Sequence, residues 1–351
     1  MLHYEATRDG CQEGRAIQLE AKAFVTGATG FVGSHLVARL CREGVRVACL
    51  VRRTSRLEWL EGLPVETRVG ALEEPDSVAE AVADADYVFH VAGTTRARSE
   101  AAYMAANAAN TRRLVEAVER SGARLRRLVY VGSLAAAGPT PTAEPLDESA
   151  EPRPLAGYGA SKLAGERAVL EAAGRLPVCV VRPPAVYGPR DANFLPLFRT
   201  AQRFHLAPAI GSRRKEVSLV HVADLAECLW LAATAEAAVG QTYFVGSGTY
   251  FWPEIVAALG RALGVRVRSL RVPALLARLI GELGELKWTL TGKPQIICRR
   301  KVRDLLEPHW TCSWAKAERE LGYRAGVSLE EGMRQTAEWY VRQGWLKRRN
   351  P

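Results

Sequence analysis

Thr26-Gly27-Ala28-Thr29-Gly30-Phe31-Val32-Gly33 is the stretch that decides the fold. It follows an apolar run at Ala21–Thr26 that indicates a strand, and it leads into a helical pattern at Ser34–Glu43. Glycines spaced G-x-x-G-x-x-G permit a tight turn, let backbone N–H groups approach a pyrophosphate, and allow a helix to pack closely. A glycine triplet can also be a purely structural turn, but the strand before it and the helix after it favour a dinucleotide-binding turn.

Outward from this turn, β-branched runs alternate with helical patterns. Near-continuous apolar runs are typical of parallel strands that are buried on both faces. The predicted strands are Val45–Val51, Val65–Val69, Tyr87–Val91, Leu128–Val131 and Val178–Val181. The predicted helices are Ser34–Glu43, Ser77–Ala83, Glu100–Ser121 and Gly157–Ala173. This βαβ repeat predicts an α/β fold with a Rossmann-type, doubly wound parallel sheet.

The alternation loosens after Pro183, where a smaller C-terminal lobe is predicted. The lobe contains a short strand at Thr242–Val245 and helices at Phe194–Phe204, Ala223–Ala235, Pro253–Leu263, Pro273–Leu290 and Leu329–Gln343. The predicted organisation is a flexible N-terminal extension at 1–20, a dinucleotide-binding domain at 21–182, and a mainly substrate-binding lobe at 183–351. Some segments of this lobe are expected to return to the main sheet.

Composition narrows the protein class. The 351 residues are 48% hydrophobic, which is enough to fill the core of one large α/β domain and a lobe. Seven scattered cysteines with no C-x-x-C pair indicate free thiols in a reducing compartment rather than a disulfide framework or a metal site. The first twenty residues have no apolar signal-type region, and no stretch is long and apolar enough for a spanning helix. We therefore expect a cytoplasmic protein.

The formal net charge of +10 raises the question of an anionic partner. Most of the excess is arginine spread over predicted helix surfaces, and no basic stretch is interleaved with aromatic residues that would stack bases. We therefore expect no nucleic-acid partner. A peripheral contact with an anionic membrane is a further hypothesis, carried by the tail at 345–349 and the segment at 273–290. Arg278, Glu282 and Glu285 interrupt that segment as in an ordinary amphipathic helix.

The end of the second predicted strand bears on cofactor choice. An acidic side chain is expected there when the ribose hydroxyls of NAD are bound, but this chain has Val51-Arg52-Arg53. Arginine can bind a 2′-phosphate, so Arg52 favours NADP(H), with NAD(H) as the alternative. A solvated basic turn in an arginine-rich protein is the other interpretation.

Tyr158-Gly159-Ala160-Ser161-Lys162 lies in a helical pattern, where residues four apart share a face. Lys162 can therefore lie beneath Tyr158, hold the nicotinamide ribose and, together with the cofactor's charge, lower the pKa of the phenol from about 10. The pattern Y-x-x-x-K alone is common by chance. It becomes more specific here because Ser133 stands at the end of the predicted strand Leu128–Val131, earlier in the chain. Its hydroxyl can bind the substrate oxygen that changes charge during hydride transfer.

From Ala21 to about Trp345 the chain resembles the extended short-chain dehydrogenase/reductases, also called the NAD-dependent epimerase/dehydratase family. The residues that carry the resemblance are the TGATGFVG turn, His90–Gly93, Asn107, YVGS ending at Ser133, YGASK, Arg182-Pro183, Val186–Pro189 and His221–Asp224. The resemblance implies a homodimer through the helices around Asn107 and Tyr158.

The resemblance also implies the site residues. The catalytic set is Ser133 as the ligand of the substrate oxygen, Tyr158 as acid/base, Lys162 as its partner, and Asn107. The cofactor-binding set is Gly27, Thr29, Gly30, Phe31, Val32, Gly33, Arg52, Leu72, Ala92, Gly93, Tyr158, Lys162, and Pro183 and Val186 through backbone contacts. No metal is expected.

Some positions depart from the family pattern or have other roles. Ala71 stands where many members have an aspartate facing adenine, which removes one cofactor contact. His221 and Asp224 favour a structural capping role at a strand–helix junction over a catalytic one. His90 and Tyr87 are expected in the core or in loops.

The choice of substrate class follows from what is missing. We find neither the acidic residue after the second strand nor the R-P-G-D-like segment that sugar-nucleotide enzymes of this kind usually keep, and Leu50-Val51-Arg52 is similar to the dihydroflavonol reductase and 3β-hydroxysteroid dehydrogenase branches. The tryptophans of the lobe, at 252, 288, 310 and 314, suit a bulky sterol-like or aromatic substrate, although each alone is better explained by packing.

We therefore predict an enzyme that interconverts a ketone and a secondary alcohol on a small-molecule substrate. The alternatives are a nucleotide-sugar 4-epimerase or dehydratase that holds NAD tightly, and a cofactor-binding sensor without turnover. The complete Ser133, Tyr158 and Lys162 set disfavours the sensor.

Overall fold

The chain folds around one large sheet and two small ones, and the computed structural model describes residues 21–140, 142, 144–155, 157–212, 214–292, 295 and 298–347. The predicted extension at 1–20 lies outside the described residues. The strands are β1 Lys22–Thr26, β2 Arg46–Val51, β3 Val65–Val69, β4 Tyr87–His90, β5 Arg127–Val131, β6 Val178–Arg182, β7 Ala185–Tyr187, β8 Leu206–Ile210, β9 Glu216–His221, β10 Thr242–Phe244, β11 Gly248–Phe251, β12 Arg268–Val272 and β13 His309–Trp310.

The helices flank these sheets. They are α1 Phe31–Arg42, α2 Pro75–Val82, α3 Glu100–Met104, α4 Asn110–Ser121, α5 Leu134–Ala137, α6 Tyr158–Leu170, α7 Leu195–Phe204, α8 Val222–Thr234, α9 Trp252–Leu263, α10 Ala274–Thr291, α11 Arg299–Leu306, α12 Ala315–Leu321 and α13 Leu329–Arg342. A π-helical turn, Ala105–Ala109, joins α3 to α4.

The large sheet confirms the predicted fold class. Its seven strands are all parallel in the order β10-β6-β5-β4-β1-β2-β3. Every residue of β4, β5 and β6 is buried, because helices cover both faces of the sheet. The strand order reverses between β1 and β4, where Thr26 pairs with His90. In such sheets, ligands bind at the carboxyl ends of the strands beside this reversal.

The strand Thr242–Phe244 pairs with Val180–Arg182 at the edge of the large sheet, in agreement with the expectation that some segments after residue 183 return to it. One prediction about an individual element needs correction. The segment predicted as one helix, Glu100–Ser121, is interrupted by the π-helical turn.

The lobe contains strands that the sequence did not reveal. A small sheet has the order β11-β9-β13 with β7 beside β9, and β8 pairs with β12. Helices α7, α9 and α13 pack around a separate apolar cluster that includes Phe198, Leu259 and Tyr340. Among the described residues the cysteines are free thiols, and no helix combines the length and apolar character needed to cross a bilayer.

Candidate active site

The glycine turn after β1 is as closely packed as its sequence predicts. Gly27 has a φ of 73°, and a Cβ on it would lie 2.6 Å from the backbone nitrogen of Ala92. A Cβ on Gly33 would overlap the carbonyl oxygen of Gly27. The Gly30 N–H donates to that same carbonyl at 3.0 Å. Only glycines allow this approach of the β1 turn to the β4 loop and to α1.

The N-terminus of α1 is free to bind an anion. Gly30 is its N-cap, no side chain in the described part of the chain caps it, and its first turn contains no acidic residue. The first backbone N–H groups, from Phe31 and Val32, have no acceptor within the helix. Thr29 is half-buried beside them. These residues fit a cofactor pyrophosphate at the positive end of the helix.

Arg52 directly follows β2, at the carboxyl ends of the strands and next to the edge strand β3. It is exposed, and its backbone N–H donates to Ser55 Oγ at 3.0 Å. Burial alone would raise the pKa of Glu73, but the hydrogen bond from Asn110 (Nδ2–Oε1 2.7 Å) and the charge of Arg52 lower it. Leu72 is buried where β3 ends. The cationic group is therefore available to an anion that lies across β2 and β3.

Ser133 and Tyr158 meet above the end of β5. Ser133 is the N-cap of α5, where its Oγ accepts from the Ala135 N–H at 3.1 Å, and its hydroxyl is close enough to Tyr158 to influence the pKa of the phenol. Tyr158 is the first residue of α6. Burial raises the pKa of Tyr158, and the nearby Ser133 hydroxyl opposes this only in part. In the protein alone, the pKa shift is therefore opposite to the lowering expected from Lys162 and a bound cofactor.

Lys162 lies one helical turn after Tyr158. Its Nζ donates to the Val131 carbonyl oxygen at 2.6 Å and lies 4.2 Å from the centre of the Tyr130 ring. Burial lowers its pKa to about 7, while the nearby Glu166 carboxylate opposes that shift. The ammonium group is held in place but is easily deprotonated.

Asn107 holds the loop after β4 against α6. Its Oδ1 accepts from the Thr94 N–H at 2.7 Å, and its Nδ2 donates to the Thr94 carbonyl and to Ser161 Oγ, each at 3.0 Å. A Cβ on Gly93 would lie 3.0 Å from Asn107 Oδ1 and 3.8 Å from Lys162 Nζ. The π-helical turn, the Gly93 loop and α6 therefore converge at one point.

Pro183 and Val186 follow β6 at the same edge. The Pro183 carbonyl oxygen accepts from the Leu134 N–H at 2.8 Å, directly beside Ser133, and Val186 lies half-buried in β7. The structure thus brings the predicted residues to the carboxyl ends of β1, β4, β5 and β6, with Arg52 and Leu72 further out.

His221 has the predicted capping role, whereas Asp224 lies in the first turn of α8 and bonds other segments. His221 Nδ1 accepts from the Ala223 N–H at 3.4 Å at the start of α8. Asp224 accepts from Ser247 Oγ at 2.6 Å and from two backbone N–H groups near residue 326. His90 and Tyr87 are buried, as expected for core residues.

Two nearby residues, Tyr103 and Arg300, were not predicted from the sequence. The Tyr103 ring centre lies 6.2 Å from that of Tyr158. The Arg300 side chain passes 3.4 Å from the Cβ position of Gly157 and donates to the Arg98 carbonyl at 2.8 Å. Arg300 belongs to α11, which together with α10 forms a helical hairpin beside the tyrosine. No local pattern links that hairpin to the site.

The tryptophans of the lobe do not gather in one place. Trp252, Trp310 and Trp314 pack into three different apolar clusters, and Trp288 is a buried residue of α10. This supports the packing interpretation for each of them.

Known proteins resemble this chain over most of its length. The family model described as the NAD dependent epimerase/dehydratase family matches residues 23–246. Ceramide reductase of Caulobacter vibrioides (strain NA1000 / CB15N) is 33% identical over 323 residues, covering 92% of this chain and 95% of that protein. The 4-hydroxy-2-methyl-3-oxo-4-farnesyl-3,4-dihydroquinoline-1-oxide ketoreductase of Stigmatella aurantiaca is 31% identical over 318 residues, covering 89% and 94%.

Solved structures share the fold of this chain. MoeE5 in complex with UDP-glucuronic acid and NAD matches with a TM-score of 0.73 at 25% identity, over 92% of this chain and 100% of that one. The matched region of the family model contains the glycine turn, Ser133, Tyr158 and Lys162. The chain therefore belongs to the NAD-dependent epimerase/dehydratase family, the extended short-chain dehydrogenase/reductases, and is an NAD(P)-dependent enzyme.

Proposed function

We propose that this enzyme uses NADPH to reduce a ketone on a bulky or long-chain apolar substrate to a secondary alcohol. The observation that carries the proposal is the Ser133–Tyr158 hydroxyl pair above Lys162, at the edge of the sheet where the glycine turn lies. When bound, the cofactor supplies the hydride.

The protonation states of the pair fit the reductive direction. A tyrosine whose pKa is raised by burial keeps its proton at neutral pH, so Tyr158 can donate it to the substrate oxygen. Ser133 can donate a hydrogen bond to the same oxygen as negative charge develops on it. Lys162 lies beneath the pair, and Asn107 positions the Gly93 loop against it.

The names of the two sequence relatives support this reaction class. Both are called reductases, and the substrate names include ceramide and a farnesyl group. Arg52, exposed at the end of β2, supports NADPH over NADH.

The first experiment measures NADPH and NADH binding by calorimetry for the wild type, Arg52→Ala and a control, Arg56→Ala, which removes a charge from the same exposed loop. A charge-assisted contact is worth about 1.5–3 kcal/mol, so Arg52→Ala should weaken NADPH roughly ten- to a hundredfold and leave NADH unchanged. Equal effects of the two substitutions would refute a specific 2′-phosphate contact.

The second experiment tests the chemistry. Tyr158→Phe should lower NADPH-dependent reduction of a long-chain 3-oxo ester by roughly 10²–10⁴-fold, while NADPH binding measured by calorimetry persists. Unchanged turnover would remove Tyr158 from the proposed role.

A nucleotide-sugar 4-epimerase is the second candidate, because MoeE5 was solved with UDP-glucuronic acid and NAD. An epimerase consumes no net cofactor. Conversion of UDP-glucose without NADPH consumption would favour this candidate over the reductase. The homodimer through the helices around Asn107 and Tyr158 stays a prediction, which analytical ultracentrifugation can test.

A further inference from the structure

Half of the fourteen large hydrophobic residues that are exposed in the described part of the chain lie on one helix, α10. They are between 43% and 80% exposed. We call them the α10 apolar face: Leu275, Leu276, Leu279, Ile280, Leu283, Leu286 and Leu290. A concentration of this kind marks an interaction surface, whereas scattered exposed hydrophobic residues need no explanation.

The α10 apolar face points away from the protein. At 100° per residue its members occupy an arc of about 140° on the helix. The buried residues of α10, Ala277, Gly281 and Trp288, lie on the other side of the helix. A Cβ on Gly281 would lie 2.9 Å from the side chain of Val302 in α11, so the small residue at this position lets the two helices pack closely. The apolar arc is therefore held outward by a rigid hairpin.

The charges around the face are unbalanced. The two glutamates of α10 are neutralised, since Glu282 pairs with Arg299 at 2.6 Å and Glu285 pairs with Arg300 at 3.2 Å. Four exposed cations lie on α10 and on β12, the strand that leads into it, and none takes part in an ion pair within the described ranges: Arg268, Arg271, Arg278 and Lys287. The rim of the apolar surface is therefore cationic.

The same surface continues beyond α10. Strand β12 leads into α10 through Pro273 and exposes Leu270. The Arg268 N–H donates to the His205 carbonyl at 2.9 Å, which brings the exposed Phe204 beside the strand. Exposed apolar and basic side chains thus occur together on α10, on the strand that leads into it and at the end of α7.

We propose that the α10 apolar face docks the enzyme on an anionic lipid bilayer, with its leucines in the acyl–headgroup boundary and the surrounding cations on lipid phosphates. Interfacial binding of this kind grows with apolar area and with attraction to anionic lipids. A second copy of the chain fits less well, because a two-fold interface would bring the cationic rim against itself.

The C-terminal tail is a weaker membrane contact than its sequence suggested. The Trp345 ring stacks on Tyr340 with centres 5.8 Å apart, and Leu346 is buried. These apolar side chains already pack in the lobe. Arg348 and Arg349 lie outside the described residues.

The inner side of the same hairpin adjoins the candidate active site. Arg300, which pairs with Glu285 of α10, passes beside Gly157, the residue before Tyr158. An apolar substrate that leaves the bilayer would therefore meet the hairpin next to the tyrosine. The docking itself needs neither cofactor nor substrate, so it can be tested apart from the proposed reduction.

The test is sedimentation with phosphatidylcholine vesicles that do or do not contain phosphatidylglycerol, on the full chain without cofactor. The wild type should bind the anionic vesicles in preference to the neutral ones. Leu283→Gln should weaken binding about tenfold, whereas the control Val239→Gln, at an exposed position elsewhere, should not. Arg268→Gln/Arg271→Gln should weaken binding to anionic vesicles about fivefold per arginine and leave binding to neutral vesicles unchanged.

Folding and function are monitored separately. Leu283→Gln should bind NADPH in calorimetry as the wild type does, which excludes misfolding as the cause of lost vesicle binding. Failure of the wild type to bind anionic vesicles overturns the proposal, as does equal binding by wild type and Leu283→Gln. Conversion of a dimer to a monomer by Leu283→Gln in ultracentrifugation would assign the face to a second copy instead.

Discussion

Glu166 and Arg182 form a buried ion pair beneath the candidate active site, and Glu166→Gln should destabilise the protein strongly. Their side chains are 2% and 5% exposed. Arg182 Nε donates to Glu166 Oε2 at 2.9 Å, and Nη2 donates to Oε1. Removing one partner of a buried pair costs about 3–5 kcal/mol, because the other charge stays buried without compensation. We expect about 3 kcal/mol, since the glutamine oxygen can still accept one hydrogen bond.

The assay is urea unfolding followed by tryptophan fluorescence, with an exposed ion pair of the same type as the control. Glu171 follows the end of the same helix and pairs with Arg112, and their side chains are 58% and 56% exposed. Glu171→Gln should change the free energy of unfolding by less than about 1 kcal/mol. The double variant Glu166→Gln/Arg182→Met should recover much of the loss, because it removes the unpaired charge. If Glu166→Gln costs no more than Glu171→Gln, burial does not set the strength of this pair.

Three further predictions concern the site and its supports. The pKa of Lys162 is about 7 in the folded protein against 10.5 ordinarily, so the unfolded chain binds more protons between these values and the free energy of unfolding should rise with pH across this window. Lys162→Met should reduce this rise. If urea unfolding gives the wild type and Lys162→Met the same change in free energy of unfolding between pH 7 and pH 9, the prediction is contradicted. Gly33→Ala should weaken NADPH binding at least about tenfold in calorimetry, because its Cβ overlaps the Gly27 carbonyl, whereas Gly174→Ala meets no atom within 4 Å and should bind normally. Asp224→Ala leaves three donors without an acceptor and should cost about 2–4 kcal/mol in thermal unfolding with unchanged turnover per folded molecule; a loss of turnover at full stability would assign it a catalytic role.

The large sheet could be predicted because its signals are local. Buried parallel strands are short apolar runs, and the glycine turn is contiguous in sequence. The strands of the lobe lack such signals. Strand β8 contains Pro208, and β12 alternates exposed arginines with Leu270, so neither resembles a buried strand. Their pairing depends on contacts between distant segments, which a local pattern does not encode.

The π-helical turn could not be predicted for a related reason. The segment Ala105–Ala109 is alanine-rich, so its composition favours an uninterrupted helix. In the structure, a Cβ on Gly165 of α6 would overlap the Asn107 carbonyl oxygen, which shows how closely the two helices approach there. The wider turn directs Asn107 toward Thr94. π-Turns are frequent at functional sites, and this one holds the loop that faces Lys162.

In the candidate site, too, local spacing predicts which residues share a helix face, whereas their burial depends on distant segments. The spacing of Tyr158 and Lys162 places them on one face of a helix, but it does not encode the burial that raises the pKa of Tyr158 in the protein without cofactor. Tyr103, far away in sequence, contributes to this environment, since its ring centre lies 6.2 Å from that of Tyr158. In the proposed reduction, a raised pKa keeps the proton on Tyr158 until the substrate oxygen gains charge and can take it. The hairpin that carries the α10 apolar face also places Arg300 beside Gly157, so one pair of helices that is distant in sequence links the proposed docking surface to the helix that begins with Tyr158.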